Sequence, residues 1–162
     1  MMRMTKQADY GIVLMTLFAK GLPEDPVLSA RDLAQEASLP LPTVTKILKA
    51  LARDGLLTSH RGVNGGYRLA RTPAQVTVGQ IITALEGPIA ITQCAVNATG
   101  CGREPFCPTR GNWRRIDEAV RDALDHITLE EMAHPLPRRA EPHRASASLA
   151  AGPASARGEE AL

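Results

Sequence analysis

The sequence predicts a mainly α fold with one small β-hairpin: a winged helix-turn-helix followed by a long helix suited to dimerisation. Three observations lead there. Residues 29–54 hold two short amphipathic segments joined by Leu39-Pro40-Leu41, the second with a Thr/Lys outer face. Residues 57–69 alternate on either side of Gly62-Val63-Asn64-Gly65-Gly66. Trp113, Ile116, Val120, Ala123 and Ile127 recur at 3, 4, 3, 4 spacing, a heptad-like seam.

Each element has its own local warrant. Over residues 4–20, Ala8, Ile12, Met15 and Ala19 share one face, widened by Val13, Leu14, Leu17 and Phe18, and Gly21 and Pro23 stop the helix. Asp9 falls early in it, where a carboxylate favours the helix N-terminus. Ser29 is the N-cap of a second helix that ends near Ser38, with Leu33 and Ala34 turned inward. Pro42 opens a third over about 42–54, since its missing N–H would be unpaired there. That helix buries Val44, Ile47, Leu48 and Leu51 and shows Thr43, Thr45, Lys46, Lys49 and Arg53.

These helices alone fit a helix-turn-helix and an ordinary helical hairpin equally well. The following segment separates the two. Asn64-Gly65 is a hairpin signal, because both residues tolerate positive φ. A basic hairpin directly after two such helices is a wing, with Arg61 and Arg68 flanking a tip of small residues. Such a tip fits a phosphate backbone or a narrow minor groove. Thr43, Thr45 and Lys46 are candidates for base or phosphate contact and Lys49 for phosphate. Arg61, Asn64, Gly65, Gly66 and Tyr67 form the wing.

Thr77 and Gln80 make a capping box that starts a short helix to Leu85, ended by Gly87-Pro88. Beyond the seam helix, whose opposite face carries Arg115, Asp117, Glu118, Arg121, Asp122 and Asp125, Thr128 and Glu131 cap a last turn. The seam fits packing on its own domain or on a second copy; a long terminal helix favours the second copy. Residues 135–162 are rich in Pro, Ala, Ser, Arg and Gly and are expected to be disordered.

Charge is uneven. Residues 1–75 carry ten Lys/Arg against six Asp/Glu, and residues 76–134 five against eight. A basic front and an acidic rear fit nucleic-acid binding at the front. No apolar run is long enough to span a membrane. No export signal opens the chain, so a cytoplasmic protein with reduced thiols is expected.

All three cysteines, Cys94, Cys101 and Cys107, lie in one stretch broken by Gly100, Gly102, Pro105 and Pro108, spaced C-x6-C-x5-C. A loop with so little apolar mass does not hold its shape by packing, and an odd number of thiols leaves one over from any disulfide set. A thiolate-bound metal is the better organiser. The wide spacing suits an iron–sulfur cluster rather than zinc, which usually starts from C-x2-C pairs. A cluster usually takes four ligands, so one is missing from the loop.

The opening MRMTKQADYG, the segment PTVTKILKALARDGLL, the wing HRGVNGGYRLAR, the helix VTVGQIITALEG and three cysteines before a Trp-containing helix together resemble the Rrf-two family of winged-helix regulators. That group includes IscR, NsrR, RirA and the SUF-system regulators, and the resemblance covers residues 2–132. It implies a homodimer on a palindromic promoter site with one iron–sulfur cluster per subunit. IscR-like members place a histidine three residues after the last cysteine; here that position is Arg110, which cannot serve. NsrR-like members use an aspartate from the partner's first helix, which implies Asp9 as the fourth ligand in trans. The pattern, with its ITLEEM ending, is most similar to the SUF-system regulators of iron–sulfur assembly.

The expectation is therefore a cluster-sensing repressor of SUF-type genes, with cluster-assembly scaffold proteins as further partners and the cluster type, [2Fe-2S] or [4Fe-4S], open. The expected divisions are a DNA-binding domain over 1–86, a cluster loop over 87–112, a dimerisation helix over 113–134 and the tail. Two alternatives stand beside it: a thiol-redox or nitric-oxide-responsive regulator of the same fold, and a small electron carrier. No nucleophile–base pair, glycine-rich phosphate loop or carboxylate pair supports an enzyme.

Overall fold

The computed structural model describes residues 4–21, 27–62, 65–92 and 107–134. Asn64, Cys94, Cys101 and the tail from 135 lie outside them, as does most of the expected cluster loop.

Helix α1 spans Lys6–Lys20, with Thr5 as N-cap accepting from the Ala8 amide and Asp9 in its first turn. Its apolar face, Ala8, Ile12, Leu14, Met15 and Phe18, is buried. Helix α2 runs Ala30–Glu36 from a Ser29 cap, and helix α3 runs Leu41–Arg53. Between them Ser38 takes a positive φ of 53°, which makes the turn tight enough to set α3 across α2. Pro42 is thus the second residue of α3 rather than its first. The stripe Val44, Ile47, Leu48 and Leu51 is fully buried, worth about 1.5–3 kcal/mol per side chain.

Strands β1 (Leu57–His60) and β2 (Gly66–Leu69) pair antiparallel with Leu57 opposite Leu69 and His60 opposite Gly66. The amide of Gly65 donates to the carbonyl of Gly62 at 3.0 Å across the tip. A third segment completes the sheet. Leu28, just before α2, exchanges backbone hydrogen bonds with Tyr67 at 2.8 and 2.9 Å. Gly66 permits this approach: a Cβ there would lie 2.4 Å from the Leu28 carbonyl oxygen.

A 3₁₀ turn at Pro73–Gln75 leads to helix α4, Val78–Glu86, whose Thr77–Gln80 capping box makes both reciprocal bonds. Gly87, at φ 89°, ends it. Helix α5 spans Arg110–Asp125 and helix α6 spans Leu129–Ala133, the latter opened by a Thr128–Glu131 capping box. The terminal helical region is therefore two helices broken at 126–128. The break is held from outside, because the Val78 amide donates to the Ile127 carbonyl at 2.9 Å and the Leu129 amide to the Val76 carbonyl at 2.8 Å. Leu129 is fully buried. α1 packs on α4 and α6, and α3 packs on α2, α4 and β1. No helix among the described residues is long and apolar enough to cross a membrane.

Candidate nucleic-acid interface and cysteine loop

The outer face of α3 follows from its inner one. With Val44, Ile47, Leu48 and Leu51 in the core, Pro42, Lys46, Lys49 and Arg53 are exposed along one stripe, and Thr43 and Thr45 flank it half-buried. Pro40 caps the helix without a side-chain bond, so its positive N-terminal end carries no capping carboxylate or hydroxyl. Arg53 pairs with Asp54 at 3.3 Å on the surface, which leaves Lys46 and Lys49 as the cations of this face with no ion-pair partner among the described residues. In the wing, Arg61 is exposed, while Gly65, Gly66 and Tyr67 are half-buried. Gly66 is fixed by its approach to Leu28, and Tyr67 packs partly against the core. Within the expected wing set, then, Arg61 presents charge and Gly66 and Tyr67 build the support beneath it. Arg31, exposed on α2, adds a further cation to the basic half; its short helix offered no spacing signal of a role.

Of the expected cluster ligands, Cys107 and Asp9 are described. Cys107 is half-buried three residues before α5, with its Sγ 3.4 Å from the Thr109 hydroxyl. Asp9 is exposed on α1, and its carboxylate has no hydrogen-bond or salt-bridge partner among the described residues. No cluster of three or more His, Cys, Asp or Glu side chains that could hold a metal forms among the described residues. Three thiols and an unpartnered carboxylate are nevertheless a donor set of the right chemistry for iron.

The two faces of α5 divide sharply. Trp113, Ile116 and Ile127 are 38, 43 and 39% exposed, so the apolar seam turns away from the chain's own domain. The inner face is largely the charged one. Asp117, 3% exposed, is the only buried charged residue among those described. Its Oδ1 accepts from the Ile91 amide at 2.6 Å and its Oδ2 from the Thr92 hydroxyl at 3.3 Å. One turn on, Arg121 Nη2 donates to the Ile89 carbonyl at 3.0 Å. Near the end, Asp125 Oδ1 accepts from the Thr77 hydroxyl at 3.2 Å. Leu124, half-buried, is the apolar contact of this face with the core.

Two helices with a tight turn, an open basic face on the second and a three-segment wing define a winged helix-turn-helix DNA-binding protein. The chain belongs to the Rrf2 family, described as "Iron-dependent Transcriptional regulator", whose family model matches residues 4–135. The IscR transcriptional regulator of Pectobacterium carotovorum is 30% identical over 133 residues, covering 82% of this chain and 80% of that protein. CymR of Bacillus subtilis is 34% identical over 132 residues, covering 82% and 90%. The solved structure of that protein, the global cysteine regulator, superposes with a TM-score of 0.65 over 82% of this chain and 97% of its own. The structure of T. potens IscR is 30% identical with a TM-score of 0.62, over 81% and 85%. These relatives are transcriptional regulators, and the chain is a regulator rather than an enzyme.

Proposed function

We propose that the protein is a cytoplasmic, homodimeric repressor of SUF-type iron–sulfur assembly genes, controlled by one iron–sulfur cluster per subunit. The observation that carries this reading is the placement of Cys107. The last loop thiol runs directly into α5, whose apolar face is open to a partner and whose far end is bonded to the DNA-binding head. Cys94, Cys101 and Cys107 of one subunit and Asp9 of the other would hold the cluster. When bound, it supplies an iron centre whose ligation responds to oxygen, nitric oxide or iron supply.

The chain's own residues do the rest. The seam of α5 joins two copies, so that two α3 helices meet major-groove half-sites about 34 Å apart. Thr43, Thr45 and Lys46 approach bases or backbone, Lys49 binds phosphate, and the wing around Arg61 follows the adjacent groove. An unpartnered carboxylate is a weaker iron ligand than a thiolate, which suits a bond that must open for a signal. Similarity to the global cysteine regulator CymR favours a second reading, in which the same thiols respond by redox chemistry without a metal.

Anaerobically purified protein separates the two. The cluster reading expects a visible chromophore with iron and sulfide bound, both lost in Cys101→Ala. Asp9→Asn is expected to bind the cluster but lose it faster in air. Wild-type iron content in Cys101→Ala overturns the cluster site. A colourless protein that loses free thiols on oxidation supports the redox reading instead. Equal cluster lifetimes in Asp9→Asn and wild type remove Asp9 from the ligand set.

A further inference from the structure

We infer that Asp117 is a positioning residue that fastens the entry of the cysteine loop to α5 and passes the state of the loop to the DNA-binding head. It rests on the reading that the loop receives the signal, and it concerns a residue outside the ligand set.

The geometry is a tether at each end of one helix. Segment 89–92 leaves α4 and leads to Cys94. Within it, the Ile91 amide and the Thr92 hydroxyl both bond the Asp117 carboxylate, and the Ile89 carbonyl bonds Arg121. The exit of the loop, Cys107, continues into the first turn of α5. Cys107 and segment 89–92 are therefore tied to the same helix, one at its first turn and the other at its middle, from Asp117 to Arg121. Seven residues separate Arg110 from Asp117, about 10 Å along the axis. A change in the loop's span must move one of these anchors relative to the other.

The far end of α5 is held by the head. Asp125 accepts from Thr77 and the Val78 amide bonds the Ile127 carbonyl. α4, which receives these bonds, packs on the recognition helix α3. Loop entry, α5, α4 and α3 thus form a continuous mechanical path in which Asp117 is the first joint. A solvent-facing aspartate at this position would make no such joint. Its burial is what requires both of its oxygens to be bonded, and both are bonded to the segment that opens the loop.

The experiment compares promoter affinity in two loop states, read twice. One pair is cluster-loaded against iron-free protein. The other pair is iron-free protein with its thiols free against the same protein alkylated with iodoacetamide, which needs no metal. In wild type each pair is expected to differ at least fivefold, an ordinary size for coupling between sites. In Asp117→Ala each ratio is expected to fall below twofold, while iron content and the affinity of the unmodified iron-free protein stay within twofold of wild type. Asp117→Asn, which retains an accepting oxygen toward Ile91, is expected to restore the ratios. If Asp117→Ala does not fold, Thr92→Val removes the hydroxyl bond to Asp117 and leaves the Ile91 amide bond, so a partial fall of both ratios carries the comparison. A wild-type ratio in Asp117→Ala overturns the proposal. So does equal loss of affinity in both loop states, which would make Asp117 merely structural, and so does an Asp117→Asn protein as uncoupled as Asp117→Ala. A wild-type protein that binds no iron refutes the cluster reading alone, since the alkylation pair still decides the role of Asp117. No response to alkylation in wild type refutes the coupling itself.

Discussion

Gly66→Ala should be the most damaging of the glycine substitutions in the wing, and its cost can be worked from the backbone. An ideal Cβ at Gly66 lies 2.4 Å from the Leu28 carbonyl oxygen and 2.8 Å from the carbon. These are backbone atoms, so no side-chain rotation relieves the clash. Retreat by about 1 Å would stretch the two Leu28–Tyr67 hydrogen bonds, now 2.8 and 2.9 Å, beyond bonding range. Each contributes about 0.5–1.5 kcal/mol net. Replacing a strand glycine recovers roughly 0.5–1 kcal/mol of backbone entropy. The net loss is up to about 2.5 kcal/mol, with a middle value of about 1.2. With an m value of about 2 kcal/mol/M, the urea midpoint should fall by about 0.6 M at fixed protein concentration. Gly79→Ala is the control. There the Cβ would lie 2.1 Å from Asp125 Oδ1, the mobile end of a side chain, and 3.4 Å from the nearest backbone atom. Asp125 swings away and gives up its bond to Thr77, about 1 kcal/mol, while the helix gains about the same from Ala over Gly. Its midpoint should stay near wild type. A Gly66→Ala protein as stable as wild type, or less damaged than Gly79→Ala, would refute the close-approach account of the Leu28 bridge.

Two further outcomes follow from the surface. Lys46→Ala and Arg61→Ala should each weaken promoter binding and flatten the log–log salt dependence by about one unit, as expected for one lost phosphate contact; unchanged affinity in both would take α3 and the wing out of the interface. Ile116→Asp places a charge in the middle of the exposed seam and should give a monomer by analytical ultracentrifugation at micromolar concentration, whereas a persistent dimer would put the subunit contact elsewhere.

What could be read in advance was whatever depends on local chemistry. Both capping boxes are short-range devices, and Thr77–Gln80 and Thr128–Glu131 form as their spacing requires. The buried stripe of α3 is a period of 3.6, and it holds at every position. The bridge to the hairpin had no such signature: Leu28 contributes a single bridged residue, too short for alternation to show. Gly66 therefore looked like part of a tip of small residues, although its role is to let another chain segment close in. Asp117 was hidden for a different reason. It stands among Arg115, Glu118 and Asp122 on a helix that reads as apolar on one side and charged on the other. The usual rule turns the apolar side inward, yet here the apolar seam is exposed and Asp117 is buried. Periodicity gives the division between faces. Which face meets the chain's own domain depends on what else covers the helix.

That inversion bears on which part of α5 can move. Its C-terminal end is fixed by the backbone bridge at 127–129 and by Leu129, fully buried, which alone is worth about 1.5–3 kcal/mol. Its middle, from Asp117 to Arg121, is bonded to segment 89–92 through the Ile91 amide, the Thr92 hydroxyl and the Ile89 carbonyl, each worth about 1.5–3 kcal/mol because one partner is charged. Apolar packing yields gradually and in any direction, but hydrogen bonds are directional and are lost over less than 1 Å. Under the proposed function, a helix fixed by both packing and backbone bonds at its C-terminal end would move by pivoting about that end. That pivot lies at α4, next to the recognition helix, and the opposite end carries Cys107 and the exposed Trp113 and Ile116. Under the proposed function, displacement of the loop by a small distance would be delivered as a change of angle between the seam and the DNA-binding head. In a dimer joined along that seam, such a change alters the separation of the two α3 helices, which is the quantity a palindromic site measures.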